Sequence, residues 1–162
     1  MYKIIMIFFL SVAIAQSADT LKNDLDNDLV PNNMDKCPNT PEGVFVTLDG
    51  CTKKIYRNIY FDHGTAQISD KFYTVILETA ALIHELPGYK IYIEGHTDSI
   101  ASAKTNMALS KRRVLSVQKI LTENKVDKNK INISWYGETM PVSSNITAIG
   151  RSENRRVNII LK

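Results

Sequence analysis

The residues best suited to binding chemistry lie between a strand-like segment and the helix pattern that follows it. Asp98 ends the segment Glu94-Gly95-His96-Thr97-Asp98, and Arg113 falls inside the predicted helix. Asn106 precedes Arg113 by seven residues, or two helical turns, so both side chains share one helix face. A fixed acid near a fixed arginine suits a zwitterion, because the acid takes an ammonium and the guanidinium takes a carboxylate. An internal Asp98–Arg113 salt bridge would use the same residues and is the alternative.

A second group of residues suits metal binding. Within residues 24–35, side chains with oxygen atoms fall at positions 1, 3, 5, 9 and 12, and a backbone carbonyl is available at position 7. Ca²⁺ prefers about six to eight oxygen ligands, which a tight loop can bring together. The predicted ligands are Asp24, Asp26, Asp28, Val30 through its carbonyl, Asn32 and Asp35. A solvated acidic linker without an ion is the alternative.

The other titratable residues indicate no reaction. His63, His84 and His96 lack the spacing of a metal site, and His96 is expected to orient its loop. Glu94 and Asp98 could form a glycosidase pair, but nothing in the sequence indicates the protonated acid that such a pair needs. We therefore expect a binding protein and not an enzyme, with calcium as the one candidate cofactor.

The pattern of apolar residues predicts the elements that position Asp98 and Arg113. Four strands are predicted, from β-formers at 55–61 and from alternation or apolar runs at 89–94, 131–136 and 157–161. One helix is predicted between Ser69 and Pro87, and another over about 104–124, with an apolar stripe of Met107, Val114, Val117 and Leu121. The order β-α-β-α-β-β predicts an α/β (α+β) domain, in which helices pack against a mixed sheet.

The first residues have the features of a signal peptide. Lys3 is followed by an apolar run of 12 residues, 4–15, which is too short to cross a bilayer as a helix. Small residues at positions 13 and 15 predict cleavage after Ala15, with Ser17 as the alternative. The predicted organisation is a signal peptide at 1–15, an acidic neck at 16–53 and a compact domain at 54–162. We expect an exported protein without a lipid-modified cysteine.

The two cysteines, Cys37 and Cys51, are expected to form a disulfide. Export places them in a compartment where disulfides persist. A zinc site would need histidine partners, and residues 19–53 contain none. The disulfide would stabilise a segment that has few core-forming residues.

The net charge of +3 combines two unlike segments. Residues 19–53 hold three basic and seven acidic residues, whereas residues 54–162 hold 16 basic and 10 acidic ones. Nucleic-acid binding is excluded, because export removes the partner and the basic residues lack interleaved aromatics. The charges instead favour one surface for cations and another for an anionic polymer.

Five motifs in residues 55–162 resemble the OmpA-like C-terminal domain, in order and with ordinary gaps. They are Ile59-Tyr60-Phe61-Asp62, Glu94-Gly95-His96-Thr97-Asp98, Asn106-x-x-Leu109-Ser110-x-x-Arg113, Tyr136-Gly137-Glu138-x-x-Pro141 and Gly150-Arg151-x-x-Asn154-Arg155-Arg156-Val157. The fold of that family agrees with the predicted element order. Ala101 stands where a glycine is usual, and Val114 where an alanine is usual.

The resemblance implies non-covalent binding of peptidoglycan, which links the outer membrane or envelope proteins to the cell wall. In such domains the acid and the arginine hold the diaminopimelate residue of the stem peptide, so Asp98 would take its ammonium and Arg113 its carboxylate. Asn106 would support the loop or the ligand, and backbone amides near Thr97 would complete the carboxylate site. The expected location is the periplasm, at the cell wall and outer membrane. An envelope structural protein with a calcium-stiffened neck and little wall binding is the alternative.

The neck resembles a thrombospondin type 3 repeat. Residues 24–35 are followed by Cys37-Pro38-Asn39-Thr40-Pro41-Glu42-Gly43-Val44, which matches the segment that commonly trails such repeats. Leu29 replaces the glycine that usually permits the sharp turn, and Asn32 replaces an acid. The resemblance implies calcium binding, and the two departures would weaken it.

Overall fold

The computed structural model describes residues 23–162, and the chain divides between Lys53 and Lys54 into two compact units. Each unit is described by itself. The predicted signal peptide at 1–15 lies outside the described residues. Within residues 23–162, no helix has both the length and the apolar character needed to cross a membrane.

Turns and one disulfide hold the smaller unit together. Cys37 and Cys51 form the predicted disulfide, with their Cα atoms 5.1 Å apart. The hydroxyl of the buried Thr40 lies 3.0 Å from the carbonyl oxygen of Cys37 and 2.6 Å from that of Gly50. Thr40 therefore joins both ends of the disulfide-closed segment.

The larger unit is a four-stranded mixed sheet with helices, which confirms the predicted fold class. Its elements are β1 (Ile55–Tyr60), α1 (Asp70–Glu85), β2 (Ile91–His96), α2 (Ala103–Glu123), a 3-10 turn (Lys128–Lys130), β3 (Ile131–Gly137), α3 (Ala148–Asn154) and β4 (Arg156–Leu161). The sequence did not predict α3, a helix of seven residues inside the segment expected to be a loop. Its N-cap Thr147 accepts a hydrogen bond from the Gly150 amide.

The sheet has the strand order β1-β4-β2-β3, so the last strand of the chain lies in its interior. β4 is antiparallel to both of its neighbours, whereas β2 and β3 are parallel and α2 connects them. The end of β1, the end of β2 and the start of β4 consequently lie at the same end of the sheet. At this end, Tyr60 pairs with Arg156 and Gly95 pairs with Val157.

The core-facing side of α2 changes from polar to apolar along the helix. Ser102 caps its start by accepting a hydrogen bond from the Thr105 amide. Val114, Val117 and Leu121 are buried as predicted, but the prediction for Met107 was wrong, because this side chain is 39% exposed. The buried positions of the first turns are instead held by Asn106, Leu109, Ser110 and Arg113.

Gly95 lets α2 pack directly on β2. A Cβ atom at this position would lie 2.5 Å from the Ser110 carbonyl oxygen and 2.6 Å from a methyl group of Val114. The sequence analysis placed no packing role on Gly95. Its function is close approach between a strand and a helix.

We predict that Gly95→Ala lowers the free energy of unfolding by about 3 kcal/mol, because the added methyl pushes α2 away from the sheet. Urea unfolding followed by circular dichroism measures the change. Gly64→Asn is the control, because Gly64 has a φ of +70° but no atom near its missing Cβ, and asparagine tolerates this conformation. Equal stabilities for Gly95→Ala and the wild type would contradict the packing role.

His96 ends β2 as a buried, uncharged side chain. It is 2% exposed, stacks on Tyr136 at 5.4 Å between ring centroids, and its Nδ1 has no hydrogen-bond partner. Burial lowers the pKa of His96 to about 4, and the charge of Arg156 adds to this effect. The neutral form is therefore the one that belongs to the folded state.

Folding stability should fall as the pH drops from about 6.5 to about 4. In this window the unfolded chain binds a proton at His96 and the folded chain does not, so the expected loss is about 3 kcal/mol. Urea unfolding at pH 7 and pH 4.5 measures it. His96→Gln should flatten the dependence, whereas His84→Gln, a change at an exposed histidine, should retain it. The same slope in all three proteins would contradict the assignment.

Candidate functional site

Asp98 is a buried carboxylate just after β2, and the side chains of Arg155 and His63 lie beside it. It is 3% exposed, and its Oδ2 accepts a hydrogen bond from Arg155 Nη1 at 3.1 Å. His63 Nδ1 lies 3.4 Å from the same oxygen, and the Ile100 amide donates to Oδ1. Among residues 23–162 the ion-pair partners of Asp98 are Arg155 and His63, so the alternative of a direct Asp98–Arg113 salt bridge is wrong.

These neighbours keep Asp98 ionised. Burial by itself would raise the pKa of Asp98, but the hydrogen bonds from Arg155, the Ile100 amide and His63 outweigh it and lower the pKa. A carboxylate with a lowered pKa stays charged throughout the neutral range. It can accept an ammonium group without first losing a proton.

Arg113 has no exposed surface and binds backbone carbonyls. Its Nε donates to Thr65 at 2.9 Å, Nη1 to His96 at 2.9 Å and Nη2 to Asp62 at 3.0 Å. The guanidinium also lies over the Phe61 ring, 5.0 Å from its centroid. Three of the five N–H groups of an arginine are thus used, and one on each terminal nitrogen remains.

The charge of Arg113 is maintained despite its burial. Desolvation lowers the pKa of Arg113 to about 10, and the nearby negative charge of Asp98 acts in the opposite direction. The group therefore remains a cation at neutral pH. Asp98 and Arg113 are electrostatic neighbours without being a hydrogen-bonded pair.

Asn106 and Thr97 fix the loop between β2 and α2. Asn106 Nδ2 donates to the Ala101 carbonyl at 3.0 Å and to the Glu138 carboxylate. The Thr97 amide donates to the Gly137 carbonyl at 2.8 Å. That amide is already bonded within the protein, whereas the Thr97 hydroxyl is buried without a partner.

Arg155 is the site residue that the sequence analysis missed. Its Nε donates to the Phe61 carbonyl at 3.1 Å, and the Phe61 amide donates back to the Arg155 carbonyl, so the side chain is held beside β1. Its side chain keeps 17% exposure, whereas Arg113 has none.

If residues 155 and 156 both lay on the last strand, their alternation would leave one arginine paired and the other solvated. Neither side chain is fully solvated, because Arg156 is 4% exposed and bonds to Asn158 and to the Met140 carbonyl. Arg155 also lies before β4, as the C-cap of α3, rather than on the strand. Strand alternation therefore could not assign its direction, and recognising α3 would have been the useful signal.

The loop that precedes Arg155 is organised by Asn154, which is fully buried. Its Oδ1 accepts from the amides of Val142 and Ser143, and its Nδ2 donates to Ser143 and Asn145. One side chain thereby fixes the β3–α3 connection and the end of α3. The position of Arg155 follows from that arrangement.

In the smaller unit, three aspartates converge as the calcium pattern predicts. Each of Asp24, Asp26 and Asp28 offers a carboxylate oxygen within 4.8 Å of the other two. Their second oxygens accept hydrogen bonds from the amides of Leu29, Thr40 and Val30, respectively. The remaining oxygen of each is buried without a partner, as is Asp35 Oδ2.

The local electrostatics of this loop favour a cation. Burial raises the pKa of Asp28 and the neighbouring carboxylates add to this effect, against a lowering by the Val30 amide. Repulsion between acids that share one small space is what a divalent ion relieves.

The structure shows how the loop accommodates Leu29 and Asn32, the two departures from the repeat pattern. Leu29 adopts a φ of +73°, the left-handed conformation that glycine would supply. Asn32 Oδ1 accepts from the Leu25 amide, so this oxygen is already used within the loop. Gly50, which the sequence analysis did not select, lies against the acids, because a Cβ there would overlap the Asp35 carboxylate.

Comparison with known proteins gives relatives for most of the chain. Outer membrane porin F of Pseudomonas aeruginosa is 37% identical over 141 residues, which cover 83% of this chain and 40% of the porin. Residues 54–162 make up less than 83% of the chain, so this match includes part of the neck. The chain spans 40 to 58% of the length of the first three curated relatives that it matches.

Solved structures agree with the fold. The C-terminal domain of Helicobacter pylori MotB is 28% identical with a TM-score of 0.62, and the match covers 65% of this chain and 84% of that domain. The cell wall anchor of the T6SS from Pseudomonas aeruginosa is 26% identical with a TM-score of 0.59, covering 69% and 83%.

The model of the OmpA family matches residues 60–155, which include Asp98, Arg113 and Arg155. These relatives and neighbours include a porin, a motility protein and a cell wall anchor. From the family match, the four-stranded mixed sheet and the porin relative, we conclude that the chain belongs to the OmpA family.

Proposed function

We propose that the domain of residues 54–162 binds peptidoglycan non-covalently, through the diaminopimelate residue of the stem peptide. The observation that carries the proposal is the Asp98–Arg155 ion pair, which joins a buried acid to an arginine whose side chain is partly exposed. The family match and the likeness to a cell wall anchor support it. The domain would then connect the cell wall to the outer membrane or to envelope proteins, in the periplasm.

Ligand binding is proposed to exchange one internal ion pair for two intermolecular ones. The ammonium of diaminopimelate replaces Arg155 at Asp98. The released Arg155 guanidinium then forms the second ion pair, with the ligand carboxylate. No charge is left buried without a partner at any stage, which keeps the cost of desolvation low. His63, exposed on one side of Asp98, can remain beside the carboxylate.

Arg113 is proposed to complete the site for the ligand carboxylate. Its two remaining N–H groups, one on each terminal nitrogen, match the two oxygens of a carboxylate. Because Arg113 is fully buried, the ligand meets it only when the segment of Asp62 to Thr65 moves aside. Thr97 and Asn106 keep the loop in place during this movement.

Asp98→Asn should abolish most diaminopimelate binding, with a loss of about 2–5 kcal/mol, because an amide cannot balance the ligand ammonium. Arg155→Lys should weaken binding as well, since a lysine cannot form a forked contact with a carboxylate. Sedimentation of the mature protein with purified peptidoglycan, competed by free diaminopimelate, measures both effects. Circular dichroism checks that each variant is folded.

Arg112→Lys is the matched control, because Arg112 is exposed on the same helix, one residue from Arg113. It should sediment like the wild type. If Asp98→Asn also sediments like the wild type, the site assignment is wrong. If the wild type does not sediment at all, the proposed function is wrong and the envelope structural role remains.

We further propose that the neck binds one Ca²⁺ through Asp24, Asp26, Asp28 and Asp35, with the Val30 carbonyl as a further ligand. The unpartnered oxygens of the four acids support this, because buried carboxylates are otherwise expected to be hydrogen-bonded. Asn32 is left out of the proposed set through its bond to Leu25. The ion would stiffen the neck next to the disulfide.

Isothermal titration of the mature protein should show uptake of one Ca²⁺ per chain. Asp26→Asn should remove it, since this change deletes a charge at the centre of the acidic loop. Asp49→Asn is the control, because Asp49 is an acid of the same unit that instead pairs with Lys36. The absence of heat above dilution at millimolar Ca²⁺ would contradict the proposal.

Gly50→Ala tests the same site without changing its charge. The added methyl overlaps the Asp35 carboxylate and should weaken Ca²⁺ binding by moving that ligand. Equal affinity in Gly50→Ala and the wild type would exclude Asp35 from the ligand set.

A further inference from the structure

A pocket of about 500 Å³ lies beside the Asp98 site, between the end of β1, the start of α1 and the end of α3. Its size falls within the range of about 300–1,000 Å³ that is usual for small-molecule sites. Its lining includes Tyr60, Phe61 and Phe72 as the aromatic part. We propose that this pocket holds an aminosugar of the glycan strand, while the attached peptide occupies the Asp98 site.

The pocket adjoins the diaminopimelate site, because three of its lining residues contact Asp98 or Arg113. Arg155 lines the pocket and binds Asp98. Phe61 lines it and lies under the Arg113 guanidinium, while the Asp62 carbonyl accepts from Arg113. One molecule can fill both places if its sugar and its diaminopimelate residue are joined through the two intervening residues of the stem peptide.

The aromatic residues offer two apolar ring faces, tilted towards each other, for a sugar ring. The rings of Tyr60 and Phe72 lie 5.8 Å apart and are tilted by 56°. Tyr60 is 37% exposed, and Phe72 is partly exposed. The C–H face of a pyranose packs on such rings, and the hydroxyl groups remain free to form hydrogen bonds at the rim.

Polar side chains at the rim are available to such hydroxyl groups. Within residues 23–162, the side chains of Gln67, Ser69 and Glu153 make no hydrogen bond or ion pair with the protein. Ser69 is notable because it is the N-cap of α1, yet its hydroxyl does not cap the helix. Together the three supply donors and acceptors of the kind that a neutral, hydroxyl-rich ring needs.

The charges of the pocket favour the sugar over a further acidic residue of the peptide. Asp62 and Glu153 both line the pocket, and their carboxylates would repel a second carboxylate. Arg155 is the one arginine or lysine of the lining, and in the proposed complex it is engaged by the carboxylate of diaminopimelate. A neutral ring has no such conflict.

This inference rests on the proposed function, and a series of three ligands separates the two. The ligands are free diaminopimelate, the stem tripeptide that ends in diaminopimelate, and the same tripeptide attached to its disaccharide. The wild type should bind the disaccharide form about tenfold more tightly than the tripeptide, measured by calorimetry. Phe72→Leu should bring this ratio close to one and leave the affinity for free diaminopimelate unchanged.

Tyr73→Leu is the matched control, since Tyr73 is the next residue of α1, is 44% exposed and does not line the pocket. It should retain the tenfold ratio. Gln67→Ala, at an exposed position in a loop, gives a second test that does not depend on the folding of Phe72→Leu, and it should also reduce the ratio.

A wild-type ratio of one, or a tenfold ratio that survives both Phe72→Leu and Gln67→Ala, would overturn the sugar assignment alone. Failure of all three ligands to bind the wild type would overturn the proposed function and this inference with it.

Discussion

One buried guanidinium holds the binding end of the domain together. Arg113 donates to carbonyls from the loop after β1 and from the end of β2, so one side chain on α2 fixes two other segments. Burial of a charge is costly unless hydrogen bonds compensate for the lost water, and here three carbonyl oxygens supply such bonds. The same bonds that stabilise the fold therefore set the positions of Asp98, Phe61 and Arg155. Folding and recognition share this interaction.

The fold could be predicted because local signals agreed with one another. Alternating apolar residues marked β2 and β3, and Ser69 with Pro87-Gly88 marked the ends of α1 close to the observed ones. The polar residues of α2 were harder to assign, because Asn106 and Arg113 occupy core-facing positions where apolar residues are expected. Met107 was placed in the core for that reason. The buried polar residues that interrupt the apolar stripe of α2 were the signal in the sequence that indicated the candidate site.

The candidate site was predicted less completely than the fold. Asp98 and Arg113 could be selected from residue type and spacing, but which residue pairs with Asp98 depends on β4 lying between β1 and β2. That strand order brings Arg155 to Asp98 across 57 residues of sequence. In the neck, the acids could be selected from spacing alone, whereas Gly50 is brought to them at the end of the disulfide-closed segment. Long-range contacts of this kind leave no periodic signal.

The antiparallel ladder between β1 and β4 determines how the domain bears tension. The preceding chain enters β1 at Ile55, whereas Asp98, Arg155 and the residues after Tyr60 lie at the opposite end of the strands. A pull between the neck and a ligand at Asp98 therefore runs along the strands. All six paired positions of the ladder are loaded together in shear, rather than opened one after another as in a zipper. A domain with this geometry resists extension best in the direction in which the bonds of this ladder are loaded together.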